Sequence, residues 1–170
     1  MWRDKTWVLR CRHVRIPFSI PASRQQRFDV VGLGENSLDL VAVVAEYPAS
    51  NSKQRLQRFA RLPGGQIATA LVTCARLGWR ARYIGSFGAD EFGALMREDL
   101  TFEHVDISAA RTVTGATNQF ALILVDARTG ERTVLWDRHP GLTLEPKDLS
   151  RDDVTSGRML LIDCHEIATV

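Results

Sequence analysis

Between Phe28 and Leu100 the chain alternates short apolar, β-branched runs with stretches of helical period, and glycine marks most of the changes. Phe28 to Leu33 is an apolar run closing on Gly32-Leu33-Gly34, and Leu38 to Ala45 is a second; both read as buried strands. Pro63-Gly64-Gly65 then opens a helix face made by Ile67, Leu71, Cys74 and Ala75, with Gly78 as its stop. Arg82 to Phe87 reads as one further strand. Asp90 stands where an N-cap belongs, ahead of a second helix face through Phe92, Leu95, Met96 and Leu100. Strands that alternate with helices predict an α/β domain with parallel strands.

The remaining segments carry shorter signals. Tyr47 to Arg61 is polar without a clear period and reads as loop or exposed edge. Asn118 to Val125 and Arg132 to Trp136 flank the polar, glycine-containing stretch Asp126 to Glu131, which predicts a hairpin and a small antiparallel appendage. Ser150 to Asp153 predicts a short helical turn, and Met159 to Ile162 a last buried strand. An α/β sheet normally follows such a strand with another helix, so the chain is expected to be the front part of a larger domain.

Composition sets the class. Of 170 residues, 45% are hydrophobic, enough for a real core and too many for a disordered chain. The net charge of +2 conceals an asymmetry: residues 1–27 hold seven Lys/Arg against the single acid Asp4, while the rest is net acidic. With Pro17, Pro21 and a polar stretch before Phe28, residues 1–27 read as a basic, unstructured extension and residues 28–170 as the domain. Arg-rich extensions also serve as transit peptides or nucleic-acid arms, but no nucleic-acid partner is expected. Arg10, Arg12, His13 and Arg15 break every run that could form a secretory signal, and no segment approaches a membrane span. Cys11, Cys74 and Cys164 lie far apart and without CxxC spacing, which fits a reduced, cytoplasmic protein without a zinc site. Cys164-His165-Glu166 puts possible ligands in a row, yet neighbouring strand residues face opposite ways, so no metal site is expected.

Three turns carry possible chemistry. Gly32-Leu33-Gly34 fails as a dinucleotide fingerprint, because Ser37 replaces the third glycine and a strand follows. Asn36 and Asp39 are polar groups at a strand end, where ligands bind in open α/β sheets, and could hold neighbouring hydroxyls. The same pair could instead cap a turn, and residue chemistry leaves both roles open. Gly64 and Gly65 permit close approach to a ligand at a helix start, with Gln66 and Thr69 on one helix edge. In Gly85-Ser86-Phe87-Gly88-Ala89-Asp90, Asp90 reads as a helix cap. No GxxxxGK[ST] loop occurs, which excludes a P-loop site.

Together, Val31 to Asp39, Pro63 to Ala70 with Leu77-Gly78, and Ile84 to Gly93 resemble the ribokinase/PfkB family of carbohydrate kinases in order and spacing. Thr114 to Thr117 and the hairpin with Gly130 to Thr133 resemble its usual continuation. The resemblance implies a ribokinase-like α/β sheet flanked by helices, with a small β-lid built from Leu38–Val44, Asn118–Val125 and Arg132–Trp136, and incomplete at the C-terminus. It implies ATP- and Mg2+-dependent phosphorylation of a sugar or nucleoside hydroxyl, with Asn36 and Asp39 on substrate hydroxyls and Gly64, Gly65, Gln66 and Thr69 along the substrate. Two positions depart from the family. Thr69 stands where its motif usually has Asn, shortening a substrate contact. The later Gly-Ala-Gly-Asp turn, which brings the catalytic aspartate and a phosphate-binding helix start, is absent, and Gly88-Ala89-Asp90 does not replace it. The chain is therefore expected to carry the substrate half of the chemistry and to lack turnover alone. A non-catalytic sugar-binding module is the rival expectation, and the lid is a surface through which two copies could pair.

Overall fold

The computed structural model describes Ala22 and residues 26–166. The expected extension at 1–27 therefore lies almost wholly outside the described residues. The elements run β1 (Phe28–Leu33), β2 (Ser37–Val44), β3 (Arg58–Gly64), α1 (Gln66–Arg76), β4 (Ala81–Ile84), β5 (Ser86–Gly88), α2 (Glu91–Phe102), β6 (Arg111–Val113), β7 (Phe120–Asp126), β8 (Arg132–Asp137), α3 (Arg151–Val154) and β9 (Gly157–Ile162).

β1 is the centre of a parallel three-stranded sheet in the order β4-β1-β9. It is buried along its whole length, so its sequence does not alternate; its one charged side chain, Asp29, pairs with Arg80 and Arg158. One face of this sheet is covered by α1 and α2. Val30, Leu71, Tyr83, Phe87, Met96 and Leu100 meet there at 0–1% exposure, the densest part of the core. The other face packs Val31, Leu33 and Ile84 against Leu144. Arg82 is only 2% exposed, and its charge is met by Asp106 at 3.0 Å and Asp153 at 2.6 Å while it lies over the Phe28 ring. That arrangement ties β4 to α3.

A second sheet of four strands, β3-β2-β7-β8, stands beside the first. β2 and β7 run parallel at its middle and the two outer strands are antiparallel to them. The expected antiparallel hairpin is present as β7–β8, but it belongs to a larger, mixed sheet. β3 occupies part of the segment read as loop or edge; it is an outer strand, exposed along most of its length, so its burial leaves little period to read. The run Arg82 to Phe87 also differs from expectation. It breaks at Gly85 into β4 and β5, and β5 leaves the main sheet to pair with β6. Asp90 caps α2 as expected, accepting from the Gly93 amide at 2.9 Å. No helix among the described residues is long and apolar enough to cross a membrane.

Candidate functional site

The chain leaves β1 through Gly34, Glu35 and Asn36 and enters the second sheet at Ser37. Alternation along β2 then sends Ser37 and Asp39 to one face, where the Ser37 hydroxyl donates to Asp39 Oδ1 at 3.1 Å. The register puts Asp39 opposite Leu62 on one side and Ala121 on the other, with Trp136 next in the row. One step along, Ile123 and Val134 continue the same face. This face overhangs the start of α1 and encloses a trough of about 740 Å³. One end of the trough is polar, with Glu35, Ser37, Asp39, Gln66 and Gln119, and its roof is apolar through Trp136, Val134 and Ile123 and ends on Arg132.

The two glycines before α1 do different work. A Cβ on Gly64 would lie 2.6 Å from Asp39 Oδ2, so the bare glycine leaves room for that carboxylate. Gly65 has φ +93°, and a Cβ there would lie 2.6 Å from the Asn36 Cα, so the chain can turn into α1 at this place only without a side chain. Glu35, 6% exposed, organises the floor of the trough. Its carboxylate accepts from the Gln66 amide at 3.3 Å and from the Gln119 side chain, and lies 3.1 Å from His165 Nε2. Gln119 in turn accepts from Arg138, which pairs with the buried Glu166 at 2.6 Å. Burial holds the Asp39 carboxyl above the ordinary aspartate range; the Ser37 hydrogen bond opposes this and the Glu35 charge adds to it.

Five of the residues expected from sequence, Asp39, Gly64, Gly65, Gln66 and Thr69, border this trough. Asn36 does not, and its expected contact with substrate is corrected. It is 2% exposed and points into the core: its amide nitrogen donates to Tyr83 Oη and to the Ser86 carbonyl, both at 2.8 Å, and its oxygen accepts from Asn118 at 3.0 Å. Every proton and the acceptor of that carboxamide are engaged inside the protein. Asn36 lies in the connection before β2 and Asp39 within it, so the two need not share a face. Ser37, two before Asp39, is the neighbour that shares its face. Gln119, Trp136 and His165 were not anticipated at the site, because contacts distant in sequence bring them there; Glu35 was missed although it lies in the Gly34 to Ser37 turn itself. Among the described residues no group of three His, Cys, Asp or Glu side chains could hold a metal ion.

The chemistry of the trough follows from these groups. Two carboxylates, the Ser37 and Thr69 hydroxyls and two carboxamides favour a ligand rich in hydroxyl donors, and Trp136 with Ile123 offers an apolar cover to a ring's C–H face. The α1 start is a poor place for a triphosphate. Its Gln66 amide is already directed at Glu35, and the Ala68 amide is directed at the Glu35 carbonyl. Residues 27–166 match the profile of the pfkB family carbohydrate kinases. The chain belongs to that family. Among curated relatives, fructokinase-2 of Solanum habrochaites is 28% identical over 132 residues, covering 76% of this chain and 39% of its own length. Fructokinase-1 of Oryza sativa subsp. japonica is 32% identical over 111 residues, covering 65% and 33%. Among solved structures, the Arabidopsis thaliana ribokinase complexed with ribose and ATP superposes with a TM-score of 0.72 at 18% identity, over 84% of this chain and 47% of that one. The Thermotoga maritima ribokinase gives 0.71 at 20% identity, over 82% and 46%. The fold is thus the ribokinase-like α/β fold with its sheet flanked by helices, and this pfkB chain spans about two-fifths of the length of the curated relatives it matches.

Proposed function

We propose that residues 26–166 form the acceptor-binding part of an ATP-dependent carbohydrate kinase, which presents a sugar hydroxyl for phosphoryl transfer. The observation that carries this reading is the Ser37–Asp39 pair set against Gly64, Gly65 and Thr69 under an apolar sheet face. In it, Asp39 accepts from sugar hydroxyls, Gln66 and Thr69 line the sugar's edge, and Trp136 covers its apolar face. The relatives named fructokinase make a neutral ketohexose the first acceptor to test, and the ribose-bound relative makes ribose the second.

Phosphoryl transfer rests on positioning the acceptor and on stabilising charge on the moving group. The trough serves the first requirement. It serves the second poorly: Glu35 and Asp39 are carboxylates, the one arginine of the lining, Arg132, stands four register positions along from Asp39, and the helix start is already met by Glu35. ATP and Mg2+ are therefore assigned to residues other than 26–166.

The test is calorimetric titration of the chain with D-fructose and D-ribose. One of them is expected to bind, and Asp39→Ala should weaken it about tenfold to a hundredfold, the equivalent of the 1.5–3 kcal/mol of a charged hydrogen bond. An unchanged titration in that variant would overturn the assignment of Asp39. The same chain given ATP, Mg2+ and the bound sugar is expected to release no sugar-dependent ADP. Sustained release that survives further purification would show that the division of labour proposed above is mistaken.

A further inference from the structure

Thr69 has two sides. One borders the trough, and the other borders a separate cavity of about 210 Å³ between α1 and α2. Pro63 and Gly64 are common to both spaces as well, so the two are neighbours across a wall of three residues. The cavity floor is apolar, with Val72 from α1 and Met96 and Leu100 from α2. Besides Thr69 and the Arg76–Glu103 ion pair, its polar groups are Thr73 and Asp99.

Those polar groups are oriented for a donor. The Thr73 hydroxyl gives its proton to the Thr69 carbonyl at 2.9 Å, which leaves its oxygen to accept. The Asp99 carboxylate is half-buried and accepts no hydrogen bond from any described residue. Burial, with the nearby Glu103 charge adding, holds its carboxyl above the ordinary aspartate range, even though the Arg76 charge opposes this. Arg76 stands at the rim but directs its guanidinium at Glu103, its Nε donating at 2.8 Å. An incoming hydroxyl would therefore find acceptors, whereas an anion would meet Asp99.

Size decides between an independent site and an annex. Self-standing ligand pockets run to about 300 Å³ and above, and this one is smaller, holding roughly seven water volumes at about 30 Å³ each. It adjoins a trough more than three times as large. Thr69 is also short for a residue at a dividing wall.

We propose that the α1–α2 cavity is an extension subsite of the acceptor pocket, receiving a neutral hydroxylated arm, such as a second sugar ring, carried by the sugar at Asp39. This rests on the sugar-binding reading of the trough and narrows the acceptor class to substituted sugars.

The experiment titrates the chain with D-fructose and with isomaltulose, turanose and lactulose, disaccharides that carry a second ring on different hydroxyls of fructose. The proteins are the unaltered chain, Asp99→Leu and Thr73→Leu, which fill the cavity from residues that do not border the trough, and Asp99→Asn, which removes only the charge. At least one disaccharide is expected to bind as tightly as fructose or better. Both leucine variants should weaken it tenfold or more and leave fructose within twofold, and Asp99→Asn should weaken it less. Circular dichroism checks the fold of each, with Asp99→Asn and Thr73→Leu keeping the test open if Asp99→Leu fails to fold. Fructose binding without any disaccharide binding overturns the subsite alone, as does disaccharide binding that the variants leave unchanged. Failure of every sugar, ribose included, overturns the sugar reading and the subsite with it.

Discussion

At Asp39 burial under the lid and the neighbouring Glu35 charge both disfavour ionisation, and only the Ser37 hydroxyl opposes them. Sugar hydroxyls donate to a carboxylate more strongly than to a carboxylic acid, so binding should require the ionised form. Because the folded value is raised, affinity should begin to fall, as the solution is acidified, at a higher pH than an ordinary aspartate would give. Titrations at stepped pH check this, and an affinity that stays flat down to the ordinary aspartate range would count against Asp39 as the acceptor. Asn36 makes the opposite case. Its three side-chain hydrogen bonds are all internal, so Asn36→Ala leaves Tyr83 and Asn118 short of a buried partner, at a cost of about 1–3 kcal/mol each way of counting. Urea unfolding should show that loss, while the affinity of the remaining folded protein changes far less than in Asp39→Ala. Two polar residues three apart thus divide into scaffold and site.

The turn from β3 into α1 shows how adjacent glycines can have separate roles. At Gly64 the added Cβ meets the far end of a flexible side chain, Asp39, which can swing away. At Gly65 it meets backbone at Glu35 and Asn36, and the residue must also hold φ +93°. Gly65→Ala should therefore destabilise by more than about 1 kcal/mol, whereas Gly64→Ala should unfold near the parent midpoint yet lose sugar affinity by displacing Asp39. Denaturant midpoints and sugar titrations on the two variants separate these outcomes. Elements whose signal is local were legible in the sequence: α1 by its period and its glycine entry, α2 by its cap at Asp90, β1 by an apolar run that only Asp29 interrupts. β3 was not, because an outer strand exposed on both faces shows no burial period. The break at Gly85 was hidden too, since β4 and β5 are both buried and burial alone does not separate them. At the site, residues grouped by short motifs were found, and those that arrive by strand pairing, such as Gln119 and Trp136, were not.

Across the whole molecule the trough exists only while the two sheets hold their relative placement, and a short polar chain fixes that placement on one side. Arg138 follows β8 of the lid, and Glu166 follows β9 of the parallel sheet; their contact is 2.6 Å, with Glu166 1% exposed. The Glu166 carboxylate also accepts the Leu144 amide at 3.0 Å, and Arg138 donates to Gln119, which donates to Glu35 on the trough floor. Arg138→Met would keep much of the side-chain volume but remove the cation beside a buried carboxylate. Breaking such a pair from one side costs about 3–5 kcal/mol, a large share of the roughly 5–15 kcal/mol that holds a domain folded. Urea unfolding should show that loss, and any protein still folded should bind sugar more weakly, since Gln119 loses its anchor. Glu166→Gln in the Arg138→Met background removes the stranded charge and should recover a substantial part of the stability, while leaving affinity low because the lid is still untied. A variant within about 1 kcal/mol of the parent, with no recovery in the double variant, would mean that packing along β2 and β7, rather than this ion pair, sets the lid against the sheet.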